Sequence, residues 1–563
     1  MSATQTALEQ LRSAKPSWTR ADLSSEVAAQ IEASGVGFAA VGGMMEDRWH
    51  QALAELQQCI RPLAGSPPVL NEGGVYAGTW IESTGTINTE VLSRFAPRTA
   101  TETFRIYATH QRADGLIPYK VTADGPAFSQ IQIVTPLARS VWNHYQLHRQ
   151  TLDSGADVQW LRQMYIAMIR YDEWLSTYRN TRGTGCVEAF CTFDTGHDLS
   201  PRFWFVPDRC FRDDAALCDP EASTAPFLAP DLTANVACQR RYLALIAAEL
   251  EEDPHPWEAK AEASVEALFQ HCYDETDGTF YDLDAHDAPV KVASDVLLRV
   301  LACEIGDADF FTHALERYVM NSAHFLSHYG FTTISLSDPR YDGDHTRNSW
   351  AGPVHFLTQL RAPHAFEHHG RLAELHVVNK DLLAALTTAD RFPQGIDPWS
   401  GAAGFTSTYS PSILWMLDTV ERTFGILPMP SGEVAFNGLA PTRLDPSHGN
   451  STSAAGASAA AQAVAYSRAV AGVRYELAAD DHEVVVFRNG SEHLNFPRGW
   501  RVTVNAAGAP TTVTCSTPRS VTGRLSWDGR AVDLTLAANE YVKLEALDIV
   551  GRDSPGFSPP RAN

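Results

Sequence analysis

Apolar residues recur at helical spacing through most of the chain, from about residue 49 to about residue 425. Side chains that repeat every three to four residues lie on one face of an α-helix, which is the face that packs into a core. This spacing predicts helices over residues 158–170, 232–250, 257–272, 356–366 and 372–386. Because strands do not separate them, these helices are expected to pack against one another.

After residue 425 the pattern changes to short runs in which apolar and polar residues alternate, at 483–490, 501–505, 524–529 and 531–536. Alternation places every second side chain on the same face of a strand. The dipeptides Asn489-Gly490 and Asp528-Gly529 are strong hairpin signals, because tight hairpin turns need positive φ at both central residues. The C-terminal part is therefore predicted to be antiparallel β-sheet.

A stretch rich in Ser, Ala and Gly lies between residues 447 and 471. Its composition is typical of a flexible surface excursion. The later, Ala-rich half has the composition of a helix as well, so both interpretations stay open at this point.

The composition of the chain indicates a large globular protein and bears on the kind of partner that it binds. The chain has 563 residues, of which 44% are hydrophobic and 20% charged, enough for a large core and for one big domain with a small one, or for several domains of average size. The formal net charge of −23 argues against nucleic acid as a partner, because phosphate binding needs clustered Lys and Arg. A neutral, small-molecule partner such as a carbohydrate fits better.

The sequence carries no signal for export or membrane insertion. A basic head followed by an apolar run is absent after Met1, and no later stretch approaches the roughly 20 apolar residues of a membrane helix. The nine cysteines are odd in number, widely spread and without CxxC pairs, which fits neither a disulfide framework nor a zinc site. We expect reduced thiols, a cytoplasmic location and no membrane partner.

Several loops between the predicted helices are rich in aromatic, Gly and acidic residues. Sugar rings present flat apolar faces and a rim of hydroxyls, so Trp and Tyr beside acids and amides suit a saccharide pocket. The loops with this composition are residues 76–83, 111–119, 193–204, 350–355 and 392–401.

The order of these loops resembles a known clan of enzymes. Phe193-Asp-Thr-Gly-His-Asp-Leu-Ser-Pro-Arg-Phe203 is similar to the acidic segment of the inverting glycosidases that include trehalases, glycoside hydrolase family 63 and mannosylglycerate hydrolases. Four further segments match the clan in the same order, and the resemblance spans roughly residues 76–426. They are residues 111–119, Asp231-Leu-Thr-Ala-Asn235, Tyr329-Gly-Phe331 and Trp350-Ala-Gly-Pro-Val354.

The resemblance implies a mainly α fold, an (α/α)6 barrel followed by a small C-terminal antiparallel β-sandwich. We expect an N-terminal helical extension over residues 1–40, the barrel over 41–426 and the sandwich over 427–563. It also implies hydrolysis of a glycosidic bond with inversion at the anomeric carbon.

The general acid of the clan matches Asp198. Cleavage of a glycosidic bond needs a proton on the departing oxygen, which a carboxylic acid with a raised pKa can donate from a partly dry pocket. Phe193, Phe203 and Trp204 flank Asp198, and Asp194 is a second carboxylate that could push the pKa values of the two apart. Asp198 could also cap a helix through Leu-Ser-Pro, and the two roles are compatible.

The general base is where the chain departs from the clan. The relatives carry a Glu in a Phe-x-Glu-x-Tyr-Asp-Pro segment, whereas this chain has Gln394, and an amide cannot accept a proton at neutral pH. Three explanations stay open: the base has moved to Asp397 or Glu82, Gln394 is an engineered replacement, or the mechanism differs. Asp397 also fits the first residue of an Asp-Pro turn, and Glu82 a ligand of a sugar hydroxyl.

Other residues in the same loops are weaker candidates for substrate binding. Aromatic residues in Gly-containing loops could stack on a sugar ring, and polar ones could bond its hydroxyls. Gln111 could instead cap its loop, and Arg202 could brace Asp198 or Asp194. The full set is Trp80, Gln111, Asp194, His197, Arg202, Trp350, Gly352, Gln394 and Trp399.

No metal or cofactor is expected. His364-Ala-Phe-Glu367-His368 fits a bare H-x-x-E-H pattern, but five residues are a weak signal and no clear third ligand follows. The run is more simply interpreted as the end of a helix before Gly370, where histidines favour the negative end of the helix dipole.

The sequence therefore predicts a glycoside hydrolase that attacks a small glycoside or oligosaccharide from its end by acid/base catalysis. Two other classes stay open: a sugar-binding protein that has lost its activity, which Gln394 favours, and a sugar epimerase or lyase on a similar helical barrel. The acidic segment around Asp198 favours hydrolysis over the epimerase and the lyase.

Overall fold

The computed structural model describes residues 2–14, 25–439 and 459–562. Helices dominate the part before residue 425, and each of the five predicted helices lies within an observed helix or ends at its cap. The helices are α1 Ala3–Ser13, α2 Ser25–Ala33, α3 Met45–Gln58, α4 Ile87–Leu92, α5 Pro97–Thr109, α6 Leu137–His148, α7 Val158–Tyr178, α8 Pro230–Glu249, α9 His255–Cys272, α10 Val296–Leu301, α11 Ala308–Ala314, α12 Phe356–His368, α13 Leu372–Thr388 and α14 Ser410–Phe424.

Helix starts follow local chemistry. Proline occupies the first turn of α5, α8 and α14, where the missing N–H would have no partner inside the helix in any case. At α12 the Nδ1 of His355 accepts the N–H of Leu357 at 3.2 Å. At the other end of α12, Gly370 has a φ of 67°, so the helix stops near the predicted glycine.

Six helices pack in a closed cycle. Helix α4 packs against α6, α6 against α8, α8 against α10, α10 against α12, α12 against α14, and α14 against α4. The helices that come between these six in sequence pack against them. Helix α5 packs on α4 and α6, α7 on α6 and α8, α9 on α8, and α13 on α12 and α14.

Short strands lie in the loops between the helices, and most form two-residue pairings. They are β2 Ile60–Pro62, β3 Pro68–Leu70, β4 Thr79–Trp80, β5 Lys120–Thr122, β6 Gly125–Ala127, β7 Glu188–Ala189, β8 Phe227–Leu228, β9 Tyr273–Asp274, β10 Thr279–Phe280, β11 Asp282–Leu283, β12 Pro289–Val290, β13 Leu326–Ser327, β14 Gly330–Phe331, β15 Val354–His355 and β16 Gly395–Ile396, preceded in the chain by β1 Gly37–Ala40.

The C-terminal part is antiparallel sheet, as predicted. Its strands are β17 Ile426–Pro428, β18 Val434–Asn437, β19 Val464–Val470, β20 Val473–Ala479, β21 Glu483–Arg488, β22 Ser491–Pro497, β23 Trp500–Val504, β24 Pro510–Cys515, β25 Val521–Trp527, β26 Arg530–Leu536, β27 Tyr541–Glu545 and β28 Asp548–Asp553. Asn489 and Gly490 have φ of 51° and 84°, and Asp528 and Gly529 have φ of 50° and 71°, so both predicted hairpin turns are present.

Two sheets divide these strands. One has the order β1-β19-β20-β21-β22-β25-β26 and the other β17-β18-β23-β24-β27-β28. Phe436 of β18 and Tyr475 of β20 meet across the sheets with ring centroids 5.3 Å apart. The same apolar cluster includes Trp49 of α3 and Trp415 of α14, so helices and sheets share a core.

One expectation about the N-terminal part of the chain needs correction. The predicted N-terminal extension is not helical throughout, because β1 is a strand of the seven-stranded sheet and pairs with β19. Of the 447–471 stretch, whose later half could be helical or flexible by sequence, Ala459 is helical and Val464–Val470 is β19, while residues 447–458 lie outside the described residues. Small side chains are needed there because Ala7 and Leu11 of α1 pack directly on Ala463 and Ala465.

Candidate active site

A cavity of about 160 Å³ opens among the loops that lead into the cycle of helices. Its lining residues come from the segments that precede α4, α6, α8, α12 and α14, together with the first turn of α12. The cavity is lined by Glu72, Tyr76, Trp80, Glu82, Tyr119, Lys120, Gln130, Gln132, Phe193, Gly196, Asp198, Arg209, Trp350, Leu357, Gln394 and Tyr409.

Asp198 is half-buried in this cavity. Burial raises the pKa of its carboxyl group to about 6, although a hydrogen bond from Asn348 Nδ2 to Oδ2 at 2.5 Å favours the ionised form. The backbone carbonyl of Asp198 accepts the N–H of Trp350 at 2.9 Å. The segment that precedes α8 is thereby fixed to the segment that precedes α12.

Glu82 is the second carboxyl group in the cavity. Burial, together with the nearby charges of Asp198 and Glu72, raises its pKa to about 8, although the charges of Arg361 and Arg299 act in the opposite direction. Its Oε2 atom is buried and accepts no hydrogen bond among the described residues. Glu82 is therefore the group that holds a proton more tightly in this cavity than Asp198 does.

Gly196 makes room for Glu82. A Cβ atom at this position would lie 1.7 Å from Glu82 Oε2, and φ is 64°, a conformation that side-chain-bearing residues rarely adopt. Gly196 ends the short 3₁₀ helix Thr192–Thr195 and precedes Asp198 by two residues. The turn therefore brings the two carboxyl groups into one space.

A chain of side-chain hydrogen bonds joins Gln394 to Asp198. Tyr76 donates its hydroxyl to Gln394 Oε1 at 2.9 Å, and Gln394 Nε2 donates to Asn348 Oδ1 at 3.0 Å. Asn348 then donates to Asp198. Each of these hydrogen bonds joins a donor to an acceptor. The amide of Gln394 has both kinds of group, so it can bond Tyr76 and Asn348 at the same time.

Aromatic rings form part of the cavity wall. Trp80 of β4 lies opposite Lys120 of β5, whose ammonium is 5.4 Å from the indole ring, and Tyr76 meets the same ring edge-on at 5.8 Å. Trp350 stacks on His355 at 3.8 Å between ring centroids. The predicted residues Trp80, Trp350 and Gln394 therefore all line the cavity with Asp198 and Glu82.

His197 and Arg202 lie behind the wall in a buried network of charges. His197 Nε2 lies 2.9 Å from Asp295 Oδ1, and burial lowers its pKa to about 3, so the ring is neutral. Arg202 pairs with Asp231 at 3.0 Å and with Asp282 at 2.7 Å. Arg202 thus braces these two acids, in place of Asp198 or Asp194 as the sequence suggested.

Arg361 lies deeper, one turn after Leu357 in α12. It is 3% exposed, and its Nε, Nη1 and Nη2 atoms have no hydrogen-bond partner among the described residues. Burial and the charge of Arg299 lower its pKa to about 9. Its positive charge acts on Glu82, and this favours the carboxylate form of Glu82.

Asp194 is fully buried and belongs to the scaffold. Arg179 pairs with its two oxygens at 2.6 and 3.1 Å, and the N–H groups of Ile131 and Phe190 donate to them at 2.9 and 2.8 Å. Within the described ranges, Asp194 with Cys191 and Cys210 is a group close enough to share a metal ion. The Asp194 charge is already matched by Arg179, so this group does not fit an added cation.

The remaining candidates lie elsewhere. Gln111 Nε2 donates to the carbonyls of Gly115 and Ala167 at 2.7 and 2.8 Å and so caps its loop. Asp397 Oδ1 accepts the N–H groups of Trp399 and Ser400, which makes it a turn former. Trp399 is 55% exposed, and a Cβ atom on Gly352 would lie 2.6 Å from the Asp342 carbonyl, so Gly352 serves close backbone packing.

Several lining residues were not predicted from the sequence. Gln130 and Gln132 alternate with the buried Ile131 and Ile133, a period-two signal that was present in the sequence. Glu72 carried no such signal: its carboxylate accepts the hydroxyl of Ser83 at 2.5 Å, and burial raises its pKa. The others are Tyr76, Tyr119, Lys120, Phe193, Gly196, Arg209, Leu357 and Tyr409.

The model of the mannosylglycerate hydrolase MGH1-like glycoside hydrolase domain matches residues 76–412, more than half of the chain. The chain belongs to this family. It is therefore a glycoside hydrolase, as predicted, and its family agrees with the resemblance drawn from the loop motifs.

Solved structures agree on the fold of this glycoside hydrolase. A family 63 mannosylglycerate hydrolase from Thermus thermophilus, solved with Tris, superposes with a TM-score of 0.53 at 17% identity, over 65% of this chain and 98% of that one. A sialidase superposes with a TM-score of 0.60 at 12% identity, over 90% of this chain and 44% of that one. No curated protein sequence matches the hydrolase significantly.

The hydrolase is helical with a C-terminal antiparallel sheet region, as its solved neighbours support. Among its described residues, no helix is both long and apolar enough to cross a membrane. All nine cysteines are free thiols.

Proposed function

We propose that this glycoside hydrolase uses Asp198 as general acid and Glu82 as general base. The observation that carries the proposal is that both carboxyl groups line one cavity and both have raised pKa values, about 6 and about 8. Perturbed carboxyl groups that share a cleft are the arrangement that acid/base hydrolysis of a glycosidic bond requires.

In the proposed reaction Asp198 gives its proton to the oxygen of the leaving group while the bond from that oxygen to the anomeric carbon breaks. A water attacks the same carbon from the opposite face and transfers a proton to Glu82. The products are a free alcohol and a sugar whose anomeric configuration is inverted. The proton then returns from Glu82 to Asp198 through solvent before the next turnover.

The free site holds one proton between the two groups near neutral pH, and burial places it more often on Glu82. Catalysis needs it on Asp198. A sugar hydroxyl that donates to the unpartnered Oε2 of Glu82 would stabilise the carboxylate, and the charge of Arg361 favours the same state. Substrate binding is therefore proposed to bring the pair into its working form.

Gln394 is proposed to position the acid and to bind substrate, without acting as the base. Its amide is linked to Tyr76 on one side and to Asn348 on the other, and Asn348 holds Asp198. Trp80 and Trp350 are proposed to contact the sugar ring, since both line the same cavity.

The closed cycle of α4, α6, α8, α10, α12 and α14, with other helices packed on it, supports an (α/α)6 barrel. We propose that barrel for residues 41–426 and a β-sandwich for the two facing sheets after residue 427, with β1 as a contribution from the N-terminal segment. The free thiols support the expected cytoplasmic location.

The proposed substrate is a small glycoside or oligosaccharide attacked at its end. Polar groups line much of the cavity, as the hydroxyls of a sugar require, and the hydrolase carries no excess of positive charge that would favour nucleic acid. The related Thermus enzyme has been solved with glucose and with D-glycerate, which makes both sugars and small hydroxy acids sensible members of a first screen.

The test compares Asp198→Asn and Glu82→Gln on glycosyl fluorides and on methyl glycosides. Fluoride leaves with little protonation, so Asp198→Asn should keep most fluoride hydrolysis while losing methyl glycoside hydrolysis by about 100-fold or more. Glu82→Gln should lose both by a similar factor, because water is no longer activated. Proton NMR of the first-formed sugar should show inversion.

Asp397→Asn is the matched control, since Asp397 is an acid in a neighbouring loop whose Oδ1 atom accepts hydrogen bonds from its own turn. Its turnover should stay within about twofold of the parent protein. If Glu82→Gln keeps fluoride hydrolysis and Asp198→Asn loses hydrolysis of both substrates, the roles of acid and base are reversed. If both variants turn over like the parent, neither carboxyl group acts in the reaction and the proposed roles of Asp198 and Glu82 are overturned.

A further inference from the structure

A loop beside the active site exposes large apolar side chains. Leu199, Trp204 and Phe205 are 56%, 53% and 91% exposed. We call residues 199–207 the rim loop. It starts directly after Asp198 and ends two residues before Arg209, and both of these residues line the cavity.

The rim loop is held firmly at its base. Thr192 donates its N–H to the carbonyl of Pro207 at 2.9 Å, which closes the loop. Within it Phe203 is buried and packs edge-on against Phe227 at 5.8 Å, and Arg202 is fixed by two buried acids. The exposed side chains therefore extend from an anchored scaffold.

Two of the exposed residues of the rim loop have strained backbone conformations. Leu199 has a φ of 59° and Phe205 a φ of 70°, a region that bulky residues rarely adopt. Strained residues of this kind persist where the surrounding structure imposes them, and they are concentrated at functional sites. Exposed large apolar residues grouped on one short segment likewise mark binding surfaces.

We propose that the rim loop binds the leaving group of the substrate and that this group is apolar, an aryl or alkyl aglycone. The inference rests on the proposed function, because Asp198 can protonate the leaving oxygen only if the aglycone lies next to Asp198. Leu199 is the adjacent residue, with its Cα about 3.8 Å from that of Asp198.

The cavity lining and the rim loop, which meet at Asp198 in the sequence, differ in chemistry, and this supports the assignment. The cavity side carries Gln130, Gln132 and Gln394, amides suited to sugar hydroxyls. The rim loop offers Leu199, Trp204 and Phe205, which gain from contact with apolar surface, and Leu199 and Phe205 have no side-chain group that could bond a sugar hydroxyl or an anion. The sugar therefore occupies the cavity, and the aglycone covers the rim loop.

The test uses methyl and octyl glycosides of a sugar whose glycosyl fluoride the parent protein hydrolyses, together with that fluoride itself. The parent protein should have a kcat/KM at least about 10-fold higher for the octyl than for the methyl glycoside, because the octyl chain buries apolar surface. Trp204→Ser with Phe205→Ser should abolish most of this preference through a higher KM. Hydrolysis of the fluoride, which has no aglycone, should stay within about twofold.

Ile549→Ser is the matched control, because Ile549 is an apolar residue of β28 with 50% exposure. It should leave the octyl preference unchanged. Equal kcat/KM values for octyl and methyl glycosides in the parent protein would overturn the inference, as would an equal loss on all three substrates in the double variant.

Two other occupants of the rim loop are tested in parallel. Light scattering compares the mass of the parent protein and the double variant, and sedimentation with phosphatidylcholine vesicles measures lipid binding. A change in either property with an unchanged octyl preference assigns the loop to a second copy or to a lipid surface and overturns the inference. Absence of fluoride hydrolysis in the parent protein would instead contradict the proposed function itself.

Discussion

At the scale of single residues, the shared proton of Asp198 and Glu82 determines when the site can work. Below about pH 6 both groups are protonated and no base is present, and above about pH 8 both are ionised and no acid is present. The two values belong to the pair, so they describe the form that holds one proton wherever that proton resides.

The expected pH profile of kcat/KM is therefore a bell with limbs near pH 6 and pH 8. Arg361→Met tests the assignment of the upper limb. Loss of the positive charge should raise the pKa of Glu82, so the upper limb should move to higher pH while the maximum falls and the lower limb stays in place. A profile that shifts at neither limb would contradict the coupling of Arg361 to Glu82.

Gln394→Glu gives a second residue-scale prediction. A carboxylate at position 394 would face Asn348 Oδ1, so the Asn348 amide should turn over to donate to it and withdraw its hydrogen bond from Asp198. The lower limb of the pH profile should then move to higher pH, and kcat should fall by about 10-fold. A kcat that rises by about 10-fold would instead place the base at position 394, where the clan has its Glu. Tyr76→Phe is the control without a new charge, because it removes only the hydrogen bond to Gln394 Oε1.

At the scale of elements, the turn at Gly196 sets the space available to Glu82. Gly196→Ala should lower the free energy of unfolding by about 1 kcal/mol through its positive φ. It should also cost about 100-fold in kcat, because displacement of a catalytic group by an ångström has that effect.

Gly183→Ala separates the two contributions. Gly183 has nearly the same φ, 67°, and no atom lies within 4 Å of its would-be Cβ atom. Both alanine variants should lose stability in urea unfolding, Gly196→Ala at least as much as Gly183→Ala, and only Gly196→Ala should lose turnover. Equal turnover in both would mean that Glu82 tolerates displacement and is not the base.

Elements with local signals were predicted well, and contacts between distant segments were not. Periodic spacing located α7 to α9, and positive-φ dipeptides located two hairpins, because each depends on neighbouring residues alone. The hydrogen bonds from Tyr76 through Gln394 to Asn348 join loops that are far apart in sequence. Asp194, a candidate for substrate binding by sequence, forms a buried salt bridge with Arg179. Pairings of this kind depend on tertiary packing, for which the sequence has no local pattern.

At the scale of the whole molecule, buried ion pairs tie the helices to the sheets. Glu421 of α14 accepts a hydrogen bond from Arg94 Nε at 2.8 Å and from the Tyr466 hydroxyl at 2.8 Å, and it also pairs with Arg468 of β19. The apolar cluster around Trp415 spans the same boundary. The two regions are therefore expected to unfold together.

Glu421→Leu tests this coupling by calorimetry. Removal of one partner leaves buried guanidinium groups without their counter-charge, which should cost about 3–5 kcal/mol. The melting transition should stay single and move to lower temperature. Asp533→Leu breaks an exposed pair with Arg524 and should change the unfolding free energy by less than about 1 kcal/mol. Two separate transitions in the Glu421 variant would contradict cooperative unfolding.

The pairing of β1 with β19 also bears on how the chain folds during synthesis. Ala40 lies beside Val464, so more than 400 residues must leave the ribosome between the two strands. At about 5–20 residues per second, β1 waits roughly 20–85 s for its neighbour. Phe38, which ends up 1% exposed, lacks its neighbour Tyr466 of β19 for that time, so the nascent chain should need a chaperone until translation passes β19.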